Sequence, residues 1–421
     1  MGRVWLVCLA IALLAADAAS AETGAAQPAD SGVASSASPS VDLALDVGVR
    51  ANGSSLSDSA RLMEGVILGD LQRLGLVNPV SAPTGASNGV DSAPDFASLS
   101  GTGADLALYV VLSPAPGGAV QTDFRLWDVA RQENLLGLQF RAQEILLRRI
   151  AHRIADSTLR RLGGNSEFDS RIVAVERASS RLMVMDADGA NPAYLTRGGG
   201  DAAPAFSGSN LIVFASEGGL SLFNLATGRT QRLLDGVDVI ADGGVASAGA
   251  PAIAVFVLRG VDGESDIASV ALRAPSEPNI IAMAGSQVEP TLASDGQRIA
   301  FLSGLSGARR ITVSDLRGQN VQTIGPAGDY RRLAWSPVRD EFALVRRTEA
   351  GEELVLVGMD GSVQVLATGE SFGRPSWSPG GSMLLITSPD RIETFDIATH
   401  RRTRIPSGFS LTDATWSAVI N

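Results

Sequence analysis

From residue 41 onward the chain carries two successive hydrophobic rhythms. Positions 41–47 (VDLALDV) alternate apolar and polar residues with period 2, which predicts a strand with one buried face. A helix is expected from Ser57 as N-cap, with Asp58 in its first turn. Ala60, Met63, Ile67, Leu71 and Leu74 form its apolar stripe, and Gly75 ends it. Positions 105–112 are a continuous apolar run, read as a central strand, and 124–129 with 135–140 read as an antiparallel pair. A second helix is predicted over 143–162, with Leu147, Ile150, Ala151, Ile154, Thr158 and Leu162 buried. Its opposite face holds Arg149, Arg153, Asp156 and Arg160, which reads as a solvated face, with a docking surface for an acidic partner as the alternative. His152 beside it reads as a polar helix residue, not a ligand.

After residue 170 the helical period disappears and short apolar runs alternate with turn signals. An aromatic-Ser phrase opens each unit: Ala205-Phe206-Ser207-Gly208, Ala334-Trp335-Ser336-Pro337, Ser376-Trp377-Ser378-Pro379 and Thr415-Trp416-Ser417. Worn copies stand at Val245-Ala246-Ser247 and Thr291-Leu292-Ala293-Ser294. The resulting period of about 40 residues, with three strands after each phrase, is that of a β-propeller blade. One unit runs through 209–214, 220–225 and 230–234, and the unit between 237 and 282 has strands at 253–258 and 266–272. The segment 171–196 has strands but no phrase, whereas 416 has a phrase but no later strands. Joining the two closes the ring, because an open ring would leave two sheet edges unpaired. The fold class expected is therefore a small α/β domain at 41–164 followed by a six-bladed β-propeller at 165–421, closed by the C-terminal strand.

Composition narrows the functional classes. All 34 cationic residues are Arg, and the net charge is −11. With no surplus of cations to displace phosphate counterions, nucleic acid is not an expected partner. Residues 1–21 read as a secretory signal: Arg3, an apolar stretch over 4–16, and Ala19-Ser20-Ala21 as cleavage site. The only cysteine, Cys8, falls inside it. No other run approaches the 20 or so apolar residues of a span, so no membrane span is expected in the mature chain. Residues 22–40 collapse to Ala, Ser, Gly, Thr and Pro, a flexible segment that serves as a spacer or orders on a partner.

Catalytic and cofactor chemistry has little material. The two histidines, His152 and His400, fall in different domains, which leaves almost no material for a His-based zinc site or a Ser-His-Asp triad, and there is no phosphate-binding loop. Asp186-Ala187-Asp188-Gly189 reads as a hairpin turn, since it lacks the remaining ligands of a calcium loop. No enzyme activity, metal or cofactor is expected. A propeller offers instead a mouth, where residues just before each phrase enter the channel. Those are Asp201 and Ala202, Asp242, Val288 and Glu289, Arg331 and Arg332, Gly373 and Arg374, and Thr412 and Asp413. A mixed ring of acids and arginines suits a polar peptide or protein loop, with ordinary solvated loop charges as the plain alternative.

Several stretches together resemble the TolB family of the periplasmic Tol-Pal envelope system. They are Phe124-Arg125-Leu126-Trp127-Asp128-Val129, Leu135-Leu136-Gly137, Arg149-Ile150-Ala151-His152-Arg153-Ile154-Ala155-Asp156 and Arg171-Ile172-Val173-Ala174-Val175. Leu182-Met183-Val184-Met185-Asp186-Ala187-Asp188-Gly189 with Asn191, Pro204-Ala205-Phe206-Ser207 and the terminal Trp416-Ser417 extend the match. The resemblance implies a periplasmic, non-enzymatic scaffold that binds the peptidoglycan-associated lipoprotein Pal at the propeller mouth. Glu289 in Glu289-Pro290-Thr291 is the residue it singles out first, then Asp201, Ala202 and Ala203. It also implies TolA binding by the mature N-terminus, where Asp30-Ser31-Gly32-Val33 echoes the family's segment, and a role in outer-membrane integrity and cell division. The blades depart from the family's Trp-Ser-Pro-Asp-Gly, notably at Val245-Ala246-Ser247. The competing readings are a periplasmic propeller for a small molecule or peptide, and a propeller attached to an enzyme.

Overall fold

In the computed structural model, the chain divides after Ser166 into two units, and the described residues of the first form five strands and three α-helices. The structure describes residues 40–50, 54–83, 90–240, 245–249, 252–260, 263–273, 277–281, 285–369 and 371–420. In the first unit, β1 (Val41–Val49), β2 (Val77–Val80), β3 (Leu106–Ala115), β4 (Ala119–Asp128) and β5 (Glu133–Gln143) form one sheet in the order β2-β1-β3-β4-β5. β1 pairs in parallel with β2 and β3, and β3, β4 and β5 are antiparallel. The continuous apolar run thus becomes the central β3, with Leu106 to Leu112 buried.

Helix α1 spans Ser57–Arg73, α2 Phe96–Gly101 and α3 Leu147–Arg161. The predicted stripe of α1 is buried, but Ser57 is its first helical residue rather than its cap, because a 3-10 turn at Ser54–Leu56 precedes it. Two elements carry too little periodicity to be read from sequence: β2, and the short α2, capped by Asp95, whose carboxylate accepts from Ala97 N and Ser98 N. In α3 the charged face is not wholly solvated. His152 and Asp156 are both about 3% exposed, and His152 Nδ1 lies 2.6 Å from Asp70 Oδ2 of α1. The helical period places His152 beside the apolar stripe, and only a partner carboxylate 82 positions earlier makes its burial tolerable.

The second unit is a six-bladed propeller of four-stranded antiparallel sheets. Inner strands of blades 2 to 6 are Ala202–Ser207, Val245–Gly249, Gln287–Leu292, Tyr330–Trp335 and Ser376–Trp377. The inner strand of blade 1 is the C-terminal Leu411–Trp416, paired antiparallel with Arg171–Glu176. Ring closure is reinforced by Ser417 N donating to Arg171 O at 2.8 Å, Arg171 N to Ser417 Oγ at 2.9 Å, and Trp416 Nε1 to Ser170 Oγ at 2.8 Å.

The repeated phrase has a physical basis. Ser207, Ser336, Ser378 and Ser417 of the intact copies are buried. In two of them the hydroxyl accepts from backbone amides of the turn or strand that follows, Ser336 Oγ from Arg339 N at 3.2 Å and Ser378 Oγ from Met383 N at 3.0 Å. The phrase's aromatic residue fills the seam between blades: Trp377 Nε1 donates to Ala334 O of blade 5 at 3.1 Å. A hydroxyl just before the aromatic residue links neighbours too. Thr291 Oγ1 accepts from Trp335 N, and Ser376 Oγ from Trp416 N.

Candidate functional site at the propeller mouth

Each inner strand enters the channel through a turn of backbone that the local sequence does not announce. In blades 1, 2, 4 and 5 the pairing register of the inner strand slips by a β-bulge. One residue in each bulge is left-handed: Ala203 (φ 47°), Glu289 (φ 60°), Arg332 (φ 60°) and Asp413 (φ 48°). All four stand three positions before the phrase's aromatic or equivalent residue. A left-handed residue other than Gly or Asn costs about 1–2 kcal/mol, so four at one structural position mark a feature held by the surrounding sheet. Bulges re-aim side chains. Here the four bulge residues line a cavity of about 760 Å³.

The charged lining is organised by ion pairs. Arg374 of blade 6 meets Glu289 of blade 4, and Arg374 Nη1 also donates to Leu333 O at 3.3 Å. Arg332 Nη1 lies 3.3 Å from Glu352 Oε2 and donates to Phe372 O, while Glu352 Oε2 accepts from Phe372 N at 2.9 Å. Arg331 Nε donates to Asp329 Oδ1 at 3.1 Å. Arg177 and Arg309 line the same cavity with no ion pair among the described residues, and the buried Nε of Arg309 has no hydrogen-bond partner.

The residues expected at the mouth do not all arrive there. Ala202, Ala203, Glu289, Arg331, Arg332, Gly373, Arg374, Thr412 and Asp413 line the one cavity. Val288 does not; it is half-buried against the apolar core shared by blades 4 and 5. Asp201 faces away, into a separate cavity of about 490 Å³ with Arg197, Phe214 and Arg232. Burial pushes its carboxyl up, with a hydrogen bond to Thr196 opposing. Asp201 lies before the inner strand Ala202–Ser207 begins, and Val288 is drawn to the apolar core by its own side chain. Asp242 and the segment Asp30-Ser31-Gly32-Val33 lie outside the described residues. Sequence reading missed Arg177, Arg309 and Ser388. They belong to loops or strand ends between the second and third strands of their blades, which antiparallel pairing brings to the same end of the propeller. That pairing was the available signal.

A second compartment of about 540 Å³ lies further along the channel wall, lined by Phe206, Trp335, Trp377 and Trp416 of the phrase and by Pro290 and Pro375. Arg374 and Thr415 border both compartments. Neither histidine lies at the mouth, and its charged lining offers two carboxylates, Glu289 and Asp413, among five arginines. Among the described residues, no helix is long and apolar enough to cross a membrane.

Comparison with known proteins agrees with this architecture. The family model of the TolB amino-terminal domain matches residues 42–135, and that of the TolB beta propeller domain matches residues 160–420. The crystal structure of TolB from Acinetobacter baumannii is similar over 91% of this chain and 98% of that one, with a TM-score of 0.76 at 18% identity. The nidogen/laminin complex matches 60% of this chain and 100% of that one, at 10% identity and a TM-score of 0.51. At such identities the structural likeness speaks to the fold alone.

Proposed function

This chain belongs to the TolB family, and on that premise we propose that it is a non-enzymatic periplasmic scaffold of the Tol-Pal system. Pal binds at the propeller mouth, and TolA is engaged by the mature N-terminus around Asp30-Ser31-Gly32-Val33. Through these contacts the protein supports outer-membrane integrity and cell division. One observation carries the reading of the mouth: left-handed bulge residues from four blades turn their side chains into a single polar cavity. Backbone strain repeated at one end of a rigid ring is the signature of a presented recognition surface rather than of packing.

The lining also indicates the chemistry of the bound segment. Five arginines face two carboxylates in a protein of net charge −11. A partner loop with exposed carboxylates complements that surface, and the two arginines without ion pairs, Arg177 and Arg309, are its natural contacts. The absence of histidine from the mouth and its arginine-rich lining favour binding over acid–base chemistry.

The test is titration calorimetry of the mature chain with Pal from the same cell. Binding is expected, with Glu289→Arg weakening it at least about tenfold, roughly 1.4 kcal/mol. Equal affinity of mutant and parent removes Glu289 from the interface, and no binding by the parent chain removes the proposal. Deletion of residues 22–39 is expected to abolish TolA capture and leave Pal binding intact. The aromatic compartment beside Trp335, Trp377 and Trp416 favours a second reading, a small apolar ligand in the channel. A thermal-shift screen with periplasmic metabolites distinguishes it.

A further inference from the structure

We infer that the amino-terminal domain carries a separate interaction surface, a cationic stripe with a protruding aliphatic tip that docks on an anionic phospholipid surface. The segment from Arg131 to Arg161 holds seven arginines and three acids, in a chain whose net charge is −11. Helical spacing puts Arg149, Arg153 and Arg160 on one stripe of α3, and Leu146 precedes the helix as its cap residue. The stripe lies along the edge strand β5. Arg153 sits over the ring of Phe140, 5.0 Å from its centre, and Arg161 Nε donates to Leu135 O at 3.1 Å.

Three of the cations on this surface carry their charge to solvent. Arg153, Arg160 and Arg161 are exposed and form no ion pair among the described residues. The acid on their helix, Asp156, is buried. Apolar side chains that packing does not cover stand at the start of the helix, Ile145 at 89% exposed and Leu146 at 47%, and on β5, Leu138 at 41%. Ile145 is the most exposed large hydrophobic residue among those described.

A bare arginine stripe would fit any anion. The projecting Ile145-Leu146 pair at the start of the helix selects among them. Aliphatic side chains that enter the acyl boundary while guanidinium forks bond phosphates above it are the pattern of an interfacial membrane contact. An acidic protein would satisfy the arginines but give a single projecting isoleucine no apolar phase to enter. The remainder of the chain carries a net negative charge, so its overall field opposes approach to an anionic surface and this segment is a local cationic exception.

Co-sedimentation of the full mature chain with vesicles tests the inference. Vesicles of phosphatidylglycerol in phosphatidylcholine are expected to carry the protein down at low salt and to release it at high salt, while pure phosphatidylcholine vesicles do not bind it. The triple variant Arg153→Gln/Arg160→Gln/Arg161→Gln is expected to weaken binding at least about tenfold. Its side chains are exposed and unpaired with acids, so losing the Arg153–Phe140 and Arg161–Leu135 contacts should lower its thermal stability only modestly and leave the fold intact. Ile145→Ser, at a position still more exposed, is an independent probe expected to weaken binding several-fold while preserving the salt dependence. Failure of the parent chain to sediment with anionic vesicles overturns the inference. So does undiminished binding by the triple variant or by Ile145→Ser, or capture of a polyglutamate peptide in place of the vesicles. None of these outcomes depends on Pal binding at the propeller.

Discussion

Arg374 of blade 6 reaches past blade 5 to form an ion pair with Glu289 of blade 4, 85 positions away in sequence. The two side chains are 18% and 9% exposed, so the pair borders the channel while being largely withdrawn from water. It fastens the rim of the mouth, and any partner entering there meets a prearranged pair rather than a free carboxylate.

Breaking that pair leaves a desolvated charge behind. Glu289→Ala or Arg374→Ala is expected to cost roughly 3 kcal/mol, toward the lower end of the range for buried pairs because one side faces the cavity. Urea unfolding of the single and double variants gives the coupling energy. A double variant as unstable as the sum of the singles would show that the two groups do not interact.

Backbone conformation at the bulges makes an unusual prediction. Ala203→Gly relieves a left-handed residue and raises the flexibility of the unfolded chain, two effects of about 1 kcal/mol and opposite sign. Near-neutral stability is expected. Ala203→Val, β-branched at φ 47°, should destabilise by about 2 kcal/mol or more, and thermal unfolding of the pair checks the contrast.

Closure of the ring rests on the C-terminal strand. Trp416→Ala removes both seam packing and the Nε1 bond to Ser170 Oγ, with an expected cost of about 3–5 kcal/mol. Deleting residues 411–421 should do more than destabilise. It exposes the edge of Arg171–Glu176, and size-exclusion chromatography should show oligomers in place of monomer.

Glu167 gives the pH dependence a direction. Its carboxylate accepts from Gly380 N at 3.0 Å and from Ser382 Oγ at 2.6 Å. Burial pushes the carboxyl up, more strongly than the bonds from Ser382, Ser378 and Gly380 hold it down. A raised folded value means that the folded state binds the proton more tightly than the unfolded one. Its contribution is fully present below the ordinary carboxylate range and is lost as pH rises through the raised value. Glu167→Gln should therefore flatten the stability profile on the alkaline side of about pH 4.3, the ordinary glutamate value. An unchanged slope in denaturant titrations across that window would remove Glu167 as its source.

The extent to which sequence and structure agree follows from the range of the forces involved. Strand alternation at 41–47, the stripes of the two long helices and the 40-residue phrase are local patterns, and each predicts its element because the burial of one face is written into neighbouring residues. Even the closing strand was legible, since an orphan phrase at Trp416 and orphan strands after Ser170 leave one way to avoid free edges. The direction of the mouth residues was not. Asp201, Val288 and Glu289 look alike as loop positions beside a phrase, and a bulge without glycine carries no residue signature. That bulge sends Glu289 into the channel, while Val288 goes to the core and Asp201 to another cavity. His152 is read correctly only once Asp70 is known to face it. Sequence by itself determined the long helices and the main strands, the number of blades and how the ring closes, because those depend on local periodicity and edge pairing. Tertiary structure alone decided which charges meet and which way they point, because a one-residue slip reverses a strand's faces and a buried charge is defined by partners far away in the chain.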